Sequence, residues 1–311
     1  MSAEPQTESR PRGCELCGST DMRKLYTASD RLRNSDEAFI IASCGGCGVW
    51  RTLPEMSASE LARFYPNDYW GEDHEPSQKW IQASQAEKTA FLRRCGLKGG
   101  RILDVGCGSG LFLRALDAGR WDRYGVEIGE VAARAAARAL GEGRITTGTL
   151  AGAGLAEASF DVVTLWSSLE HMNEPRANLR AARRILRPGG TLIVQVPNAA
   201  SYQARAFGGD WFALDAPRHR YHFSLQTLGH LLSETGFEIY ASTTFSQAHN
   251  AHALRQSLKT RLYRNGAAGR ALFLFAIPFI KPVDWLMTSL GKGATLTVAA
   301  RAACKGEGMK G

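Results

Sequence analysis

Three groups of residues in this chain carry chemistry in their types and spacing. Cys14 and Cys17, then Cys44 and Cys47, form two C-x-x-C-G knuckles. Four thiolates in paired knuckles close a tetrahedral shell around zinc, and the glycine after each pair frees backbone N–H groups for the sulfurs. Such a shell is saturated, which makes it structural. A redox dithiol is the competing reading, but nothing around the pairs suggests a thioredoxin-like unit. The second group is Arg101 to Gly110, RILDVGCGSG, where a short apolar run passes Asp104 into Gly106, Gly108 and Gly110. The third is acid–base chemistry: the dipeptide Glu170-His171, and His219 and His222 in Pro217-Arg218-His219-Arg220-Tyr221-His222-Phe223-Ser224.

The glycine segment reads as a strand, a tight loop and a helix start, the geometry that offers bare backbone N–H groups to a ligand. A dinucleotide fingerprint needs G-x-G-x-x-G, and its third position here is Leu111. Asp104 would repel a pyrophosphate and attract an ammonium group. The next strand ends in Glu127, about twenty residues on, where an acid binds ribose hydroxyls. A ligand with a ribose, a carboxylate, an ammonium and no phosphate is S-adenosylmethionine. Here the sequence resembles the class I S-adenosylmethionine-dependent methyltransferases, whose first motif is close to LDVGCGSG. The resemblance implies that Asp104, Gly106, Gly108 and Gly110 hold the methionine end of the cofactor and Glu127 its ribose.

Elements that position these groups follow from periodicity. Phe160 to Leu165 is an almost wholly apolar strand of the buried parallel kind, and it runs directly into Glu170-His171. In an open parallel sheet that carboxyl-end loop faces the ligands. Many members of the resembled family carry a similar E-H dipeptide there, and Leu186-Arg187-Pro188-Gly189-Gly190 matches their L-x-P-G-G before the next strand. Alternating strands and helices predict a doubly wound, mostly parallel seven-stranded sheet, with Phe237–Tyr240 and Ala294–Ala300 as its last strands. The expected divisions are a disordered tail at 1–12, a zinc ribbon at 13–53, linking helices at 54–98 and the methyltransferase domain at 99–311. Residues 247–292 form an insertion in that domain, expected to act as a cap. Ser57 with Glu60 has a capping-box pattern, and Tyr65, Tyr69 and Trp70 form an aromatic cluster expected to pack ribbon against catalytic domain.

His219 and His222 stand just ahead of a helix that Ser224 can cap, where a neutral imidazole is favoured over its cation. That suits a general base, with His222 ahead of His219; the plain alternative is that both bond backbone carbonyls. Glu170 and His171 complete the candidates around the acceptor, and as in some related O-methyltransferases they could help hold a divalent ion. The layout also resembles zinc-containing methyltransferases of nucleotide-linked sugars, and P-R-H-x-x-H-F-S resembles methyltransferases associated with bacterial cell-surface polysaccharides. The resemblance therefore implies a small-molecule or glycan-type acceptor: a nucleotide-linked sugar, polysaccharide or glycolipid. The rivals are a zinc-ribbon RNA base methyltransferase and a non-catalytic scaffold. Against the first, no N-P-P-Y follows the fourth strand and the basic residues are not interleaved with aromatics. Against the second stand the intact glycine loop and Glu127.

The 311 residues carry a net charge of +8, which suits an anionic partner but does not choose among nucleic acid, nucleotide-linked substrate and membrane. The polar start MSAEPQTESRPRG is neither signal peptide nor anchor, so a cytoplasmic protein is expected. Within the insertion, Arg255, Lys259, Arg261, Arg264 and Arg270 precede the apolar run Ala271 to Ile280, which is too short to span a bilayer. A packed cap is the simpler reading, and peripheral contact with the inner face of the membrane through 270–290 is the alternative.

Overall fold

The protein is described here by a computed structural model covering residues 13–32, 37–65 and 76–303. The expected tail at 1–12, and Tyr69 and Trp70 of the aromatic cluster, lie outside the described residues. Strands β1 (Met22–Ser29), β2 (Ala38–Cys44) and β3 (Trp50–Leu53) form an antiparallel meander between the two knuckles and beyond. Helix α1 (Ala58–Ala62) begins at the capping box of Ser57 and Glu60. Helices α2 (Gln78–Ser84) and α3 (Ala86–Arg94) meet at Gln85, where the backbone leaves helical values.

The central sheet then builds in alternation: β4 (Gly100–Val105), α4 (Leu111–Ala115), β5 (Trp121–Glu127), α5 (Glu130–Leu140), β6 (Ile145–Thr147), β7 (Phe160–Trp166), α6 (Pro175–Ile185) and β8 (Leu186–Pro197). Helix α7 (Tyr202–Phe207), the two-residue β9 (Tyr221–His222), α8 (Leu225–Glu234) and β10 (Phe237–Thr243) follow. Three further helices, α9 (Asn250–Tyr263), α10 (Gly266–Ala276) and α11 (Ile280–Ser289), separate β10 from the last strand, β11 (Thr295–Ala302). The sheet has the order β10-β11-β8-β7-β4-β5-β6, parallel from β8 to β6, with β11 antiparallel to both its neighbours. Strands β7 and β11 are buried along nearly their whole length and β8 from Gly190 to Val196, as mostly apolar sequence requires when helices cover both faces.

Two features depart from the sequence reading. The N-terminal sheet has a fourth strand, because β9 pairs with β3 through Trp50–His222 and Arg51–Tyr221. A division at residue 53 is therefore crossed by hydrogen bonds, and one core of Phe39, Ile41, Trp211, Leu214, Leu254 and Ile280 joins ribbon, loop and insertion. The apolar run at 271–280 is also not an isolated stretch. A short 3-10 turn links α10 to α11, giving a 24-residue segment, Gly266–Ser289, that is long and apolar enough to cross a membrane.

Candidate active site

The glycine loop leaves the carboxyl end of β4 and turns into α4. A side chain at Gly106 would meet Ser168 Cβ at 2.8 Å, so the loop lies directly against the turn that follows β7. At Gly108 the same construction meets open space, which leaves bare backbone facing outward from the turn. Glu127, buried at the end of β5, accepts N–H bonds from Gly108 and Gly129, both at 2.8 Å. Each carboxylate oxygen keeps a second lone pair, so the pair of acceptors that ribose hydroxyls need survives. Asp104 is buried, accepts the Thr164 hydroxyl at 2.7 Å, and is pushed up to about 7 by burial. The cation that offsets part of this burial is Lys88 of α3, whose ammonium stands 5.4 Å from the Trp166 ring centre and 6.0 Å from that of Phe112. Lys88 and Thr164 carried no sequence signal, since one lies in a linking helix and the other inside an apolar strand.

On the other side of Ser168, the turn after β7 carries Glu170 and His171. Their ligand atoms and one from His219 lie within 4.8 Å of one another. His171 Nδ1 is 3.1 Å from the Arg218 carbonyl and 3.4 Å from the Tyr65 hydroxyl, and His219 Nδ1 is 2.9 Å from the Ala213 carbonyl. A carbonyl only accepts, so each Nδ1 carries the proton and Nε2 is left with its lone pair. The two rings meet edge to face at 4.6 Å. Burial lowers both, His171 to about 3 with the neighbouring His219 adding to it, so both are neutral. Glu170 is wholly buried, neither carboxylate oxygen has a hydrogen-bond partner among the described residues, and burial lifts it to about 8.

His222 is placed differently. It sits in β9, 1% exposed, with Nε2 3.1 Å from Thr52 Oγ1. That hydroxyl has one proton and gives it to the His219 carbonyl at 2.6 Å, so it must accept from His222 Nε2. The ring is thereby fixed as the Nε2–H form, its Nδ1 buried without a partner, and burial holds it down to about 3. The segment is clamped by Arg218, which is fully buried. Its guanidinium reaches Asp30 of the ribbon at 2.8 Å, Asp215 at 2.6 and 3.0 Å, and the Phe64 carbonyl at 2.9 Å. Sequence reasoning noted the arginine but not this role, because Asp30 and Phe64 come from two distant stretches.

In the ribbon, Cys14 Sγ stands 3.8 Å from Cys47 Sγ and Cys17 Sγ 3.5 Å from Cys44 Sγ, with all four within 4.8 Å. A tetrahedron with metal–sulfur bonds of about 2.3 Å has edges of about 3.8 Å, so the donor set fits zinc. A further cavity of about 280 Å³ opens between α3 and the carboxyl edge of the central sheet, lined by Lys88, Phe91, Trp166, Gln195, Phe245 and Thr297 among others. It shares Lys88 with the surroundings of Asp104 and Trp166 with the strand that leads to Glu170.

Residues 77–242 match the family described as a methyltransferase domain. The ubiquinone biosynthesis O-methyltransferase of Pseudomonas aeruginosa is 30% identical over 202 residues, covering 60% of this chain and 86% of that protein. The enzyme of the same name from Xanthomonas campestris is 28% identical over 182 residues, covering 55% of this chain and 75% of its own. Among solved structures, a methyltransferase of Thermotoga maritima described as a possible histamine N-methyltransferase covers 72% of this chain and 91% of its own, at 19% identity and a TM-score of 0.47. The family match begins after the ribbon and ends before α9, leaving both outer additions outside it.

Proposed function

Because the chain belongs to the class I S-adenosylmethionine-dependent methyltransferases, we propose that it methylates a hydroxyl of a small-molecule acceptor held between the glycine loop and the Glu170–His171–His219 cluster. The observation that carries this is the contact of the Gly106 loop with Ser168, two residues ahead of Glu170, which puts acid–base groups one turn from the cofactor loop. S-adenosylmethionine, when bound, would supply its methyl group for in-line displacement by the acceptor oxygen. Asp104 would hold its ammonium and Glu127 its ribose hydroxyls, and α3 with Trp166 would keep water from the reacting centre. The neutral imidazoles of His171 and His219 orient the acceptor hydroxyl through Nε2. Glu170, which burial lifts to about 8, is a far better base than His171, held down to about 3, and takes up the proton. His222 acts by positioning, since its bond to Thr52 sets the carbonyl of His219.

Two neutral imidazoles and a carboxylate are also a ligand set that a divalent cation accepts, and the commitment of both Nδ1 atoms to carbonyls favours that second reading. A cation bound there would lower the pKa of the acceptor hydroxyl. The relatives' name points to O-methylation of a small molecule, and the sugar-type acceptor implied by the P-R-H-x-x-H-F-S resemblance falls within the same hydroxyl chemistry.

The test is calorimetric titration with S-adenosylmethionine, followed by methyl-transfer assays on catechols, nucleotide-linked sugars and RNA, with and without added magnesium. One saturable cofactor site and turnover on a hydroxyl acceptor support the reading. Turnover on RNA alone would replace it, and absence of cofactor binding by folded protein would sink it.

A further inference from the structure

The helices inserted between β10 and β11 hold a surface that the rest of the protein does not use. In the segment Gly266–Ser289 only Gly269, Phe273 and Ile280 are buried. Gly269 lets α10 lie on α9, since a side chain there would collide with the Leu262 carbonyl, and Phe273 meets Tyr263 edge to face at 5.5 Å. The opposite side is bare: Leu274 is 63% exposed, Phe275 71% and Trp285 68%, with Leu272, Phe279 and Leu286 each more than half exposed. Isolated exposed apolar side chains are ordinary, whereas this many on one helical segment mark a contact surface.

The charge around the patch identifies what it contacts. From His249 to Lys292 the sequence has one acid, Asp284, against Arg255, Lys259, Arg261, Arg264, Arg270, Lys281 and Lys292. Asp284 is turned inward, where Gln203 Nε2 donates to it at 3.4 Å, and Arg261 and Arg264 are spent on Asp210. Arg255, Lys259, Arg270, Lys281 and Lys292 are exposed, and among the described residues they make no ion pair. A second copy docking by two-fold symmetry would set this basic rim against an identical one. An anionic surface with an apolar interior meets both features. The segment is long enough to span a bilayer, but its buried side chains and the Gln203–Asp284 contact hold it along the domain, the arrangement of a helix that lies in the interface.

We propose that the α10–α11 segment docks this protein onto an anionic phospholipid membrane, with Phe275, Phe279, Trp285 and Leu286 inserted among the acyl chains and Arg270 and Lys281 at the phosphates. The surface lies outside the residues that match the methyltransferase family, so it is a property of this chain's insertion. It stands whether or not the acceptor assignment does.

Sedimentation of the full chain with vesicles tests it, using phosphatidylcholine alone and phosphatidylcholine mixed with phosphatidylglycerol. Binding is expected to the mixed vesicles and to weaken with added salt. The double variant F275S/W285S removes exposed side chains only, so its thermal midpoint should match the wild type while its partition falls about a hundred-fold. The variant R270E/K281E should lose the preference for anionic vesicles while keeping its fold. No vesicle binding, or equal binding by wild type and F275S/W285S, would overturn the proposal. So would a concentration-dependent dimer that F275S/W285S abolishes in the absence of any lipid affinity, because that outcome assigns the patch to a second copy.

Discussion

Among the described residues the protein holds two clusters of metal-ligand type, and they are built by opposite routes. Cys14, Cys17, Cys44 and Cys47 come from two local knuckles, and their spacing fixes the geometry before the rest of the chain folds. Glu170, His171 and His219 come from two loops and are brought together only when Arg218 ties the second loop to Asp30, Asp215 and Phe64. The first set is saturated by four thiolates and has nothing left for chemistry. The second keeps unpartnered carboxylate oxygens and two Nε2 lone pairs, which is costly for folding and useful for catalysis.

That contrast can be broken or sharpened by perturbing each side. The largest effect is expected from removing zinc or from Cys44→Ser, up to about 10 kcal/mol of the ribbon's folding free energy. Because β9 belongs to the ribbon sheet, hydrogen exchange should report loss of protection at Tyr221 and His222 as well as at β2 and β3, with β4 and β7 protected. Protection retained at β9 would show that the two halves are independent. Arg218→Met is expected next, at about 3–5 kcal/mol, because it leaves Asp30 buried without its cation. The double variant D30N/R218M should recover part of that loss in denaturant titrations, and strict additivity would dissolve the clamp.

Glu170→Gln should lower kcat by about a hundred-fold or more while leaving S-adenosylmethionine affinity unchanged by calorimetry. The same variant has a stability signature. A carboxyl raised in the folded chain binds its proton more tightly there than in the unfolded chain, so the wild type loses stability as pH climbs from about 4.5 towards about 8. E170Q should be the more stable protein above pH 8, with the difference vanishing below about pH 4.5. Identical pH profiles would mean that Glu170 finds a partner in solution. Glu127→Ala is expected to weaken cofactor binding by about ten-fold, near 1.4 kcal/mol, with chemistry from the bound state little changed. The smallest effect on turnover is expected from His222→Asn, which should cost about 1–2 kcal/mol of stability through the Thr52 contact. A collapse of kcat there would restore His222 as a proton acceptor.

What was legible in the sequence follows the same divide. The cofactor loop, Glu127 and the cysteine knuckles depend on residues close in sequence, and the sheet follows from apolar runs whose period needs no partner to be recognised. Glu170 and His171 could be named because they follow a buried strand, but His219 joins them through contacts that no spacing encodes. Nearness to a helix start made both His219 and His222 candidates, but the burial of His222 beside Thr52 comes from a strand pairing that no spacing encodes. Lys88 was hidden because a lysine on a polar helix ordinarily faces water. The extent of the α10–α11 segment was hidden because the apolar run ends at Lys281-Pro282, although proline is tolerated in the first turn of a new helix.

The pairing of β3 with β9 also bears on how the chain is made. The ribbon emerges from the ribosome early, and its knuckles can take up metal at once. The edge of β3, however, waits for a partner about 170 residues further on, from Thr52 to His222. Until then an open strand edge and the apolar face of Phe39 and Ile41 are presented to the cell. The nascent ribbon thus carries an unpaired edge throughout translation of the sheet, and the last hydrogen bonds of its sheet form only when the loop holding His219 and His222 is complete.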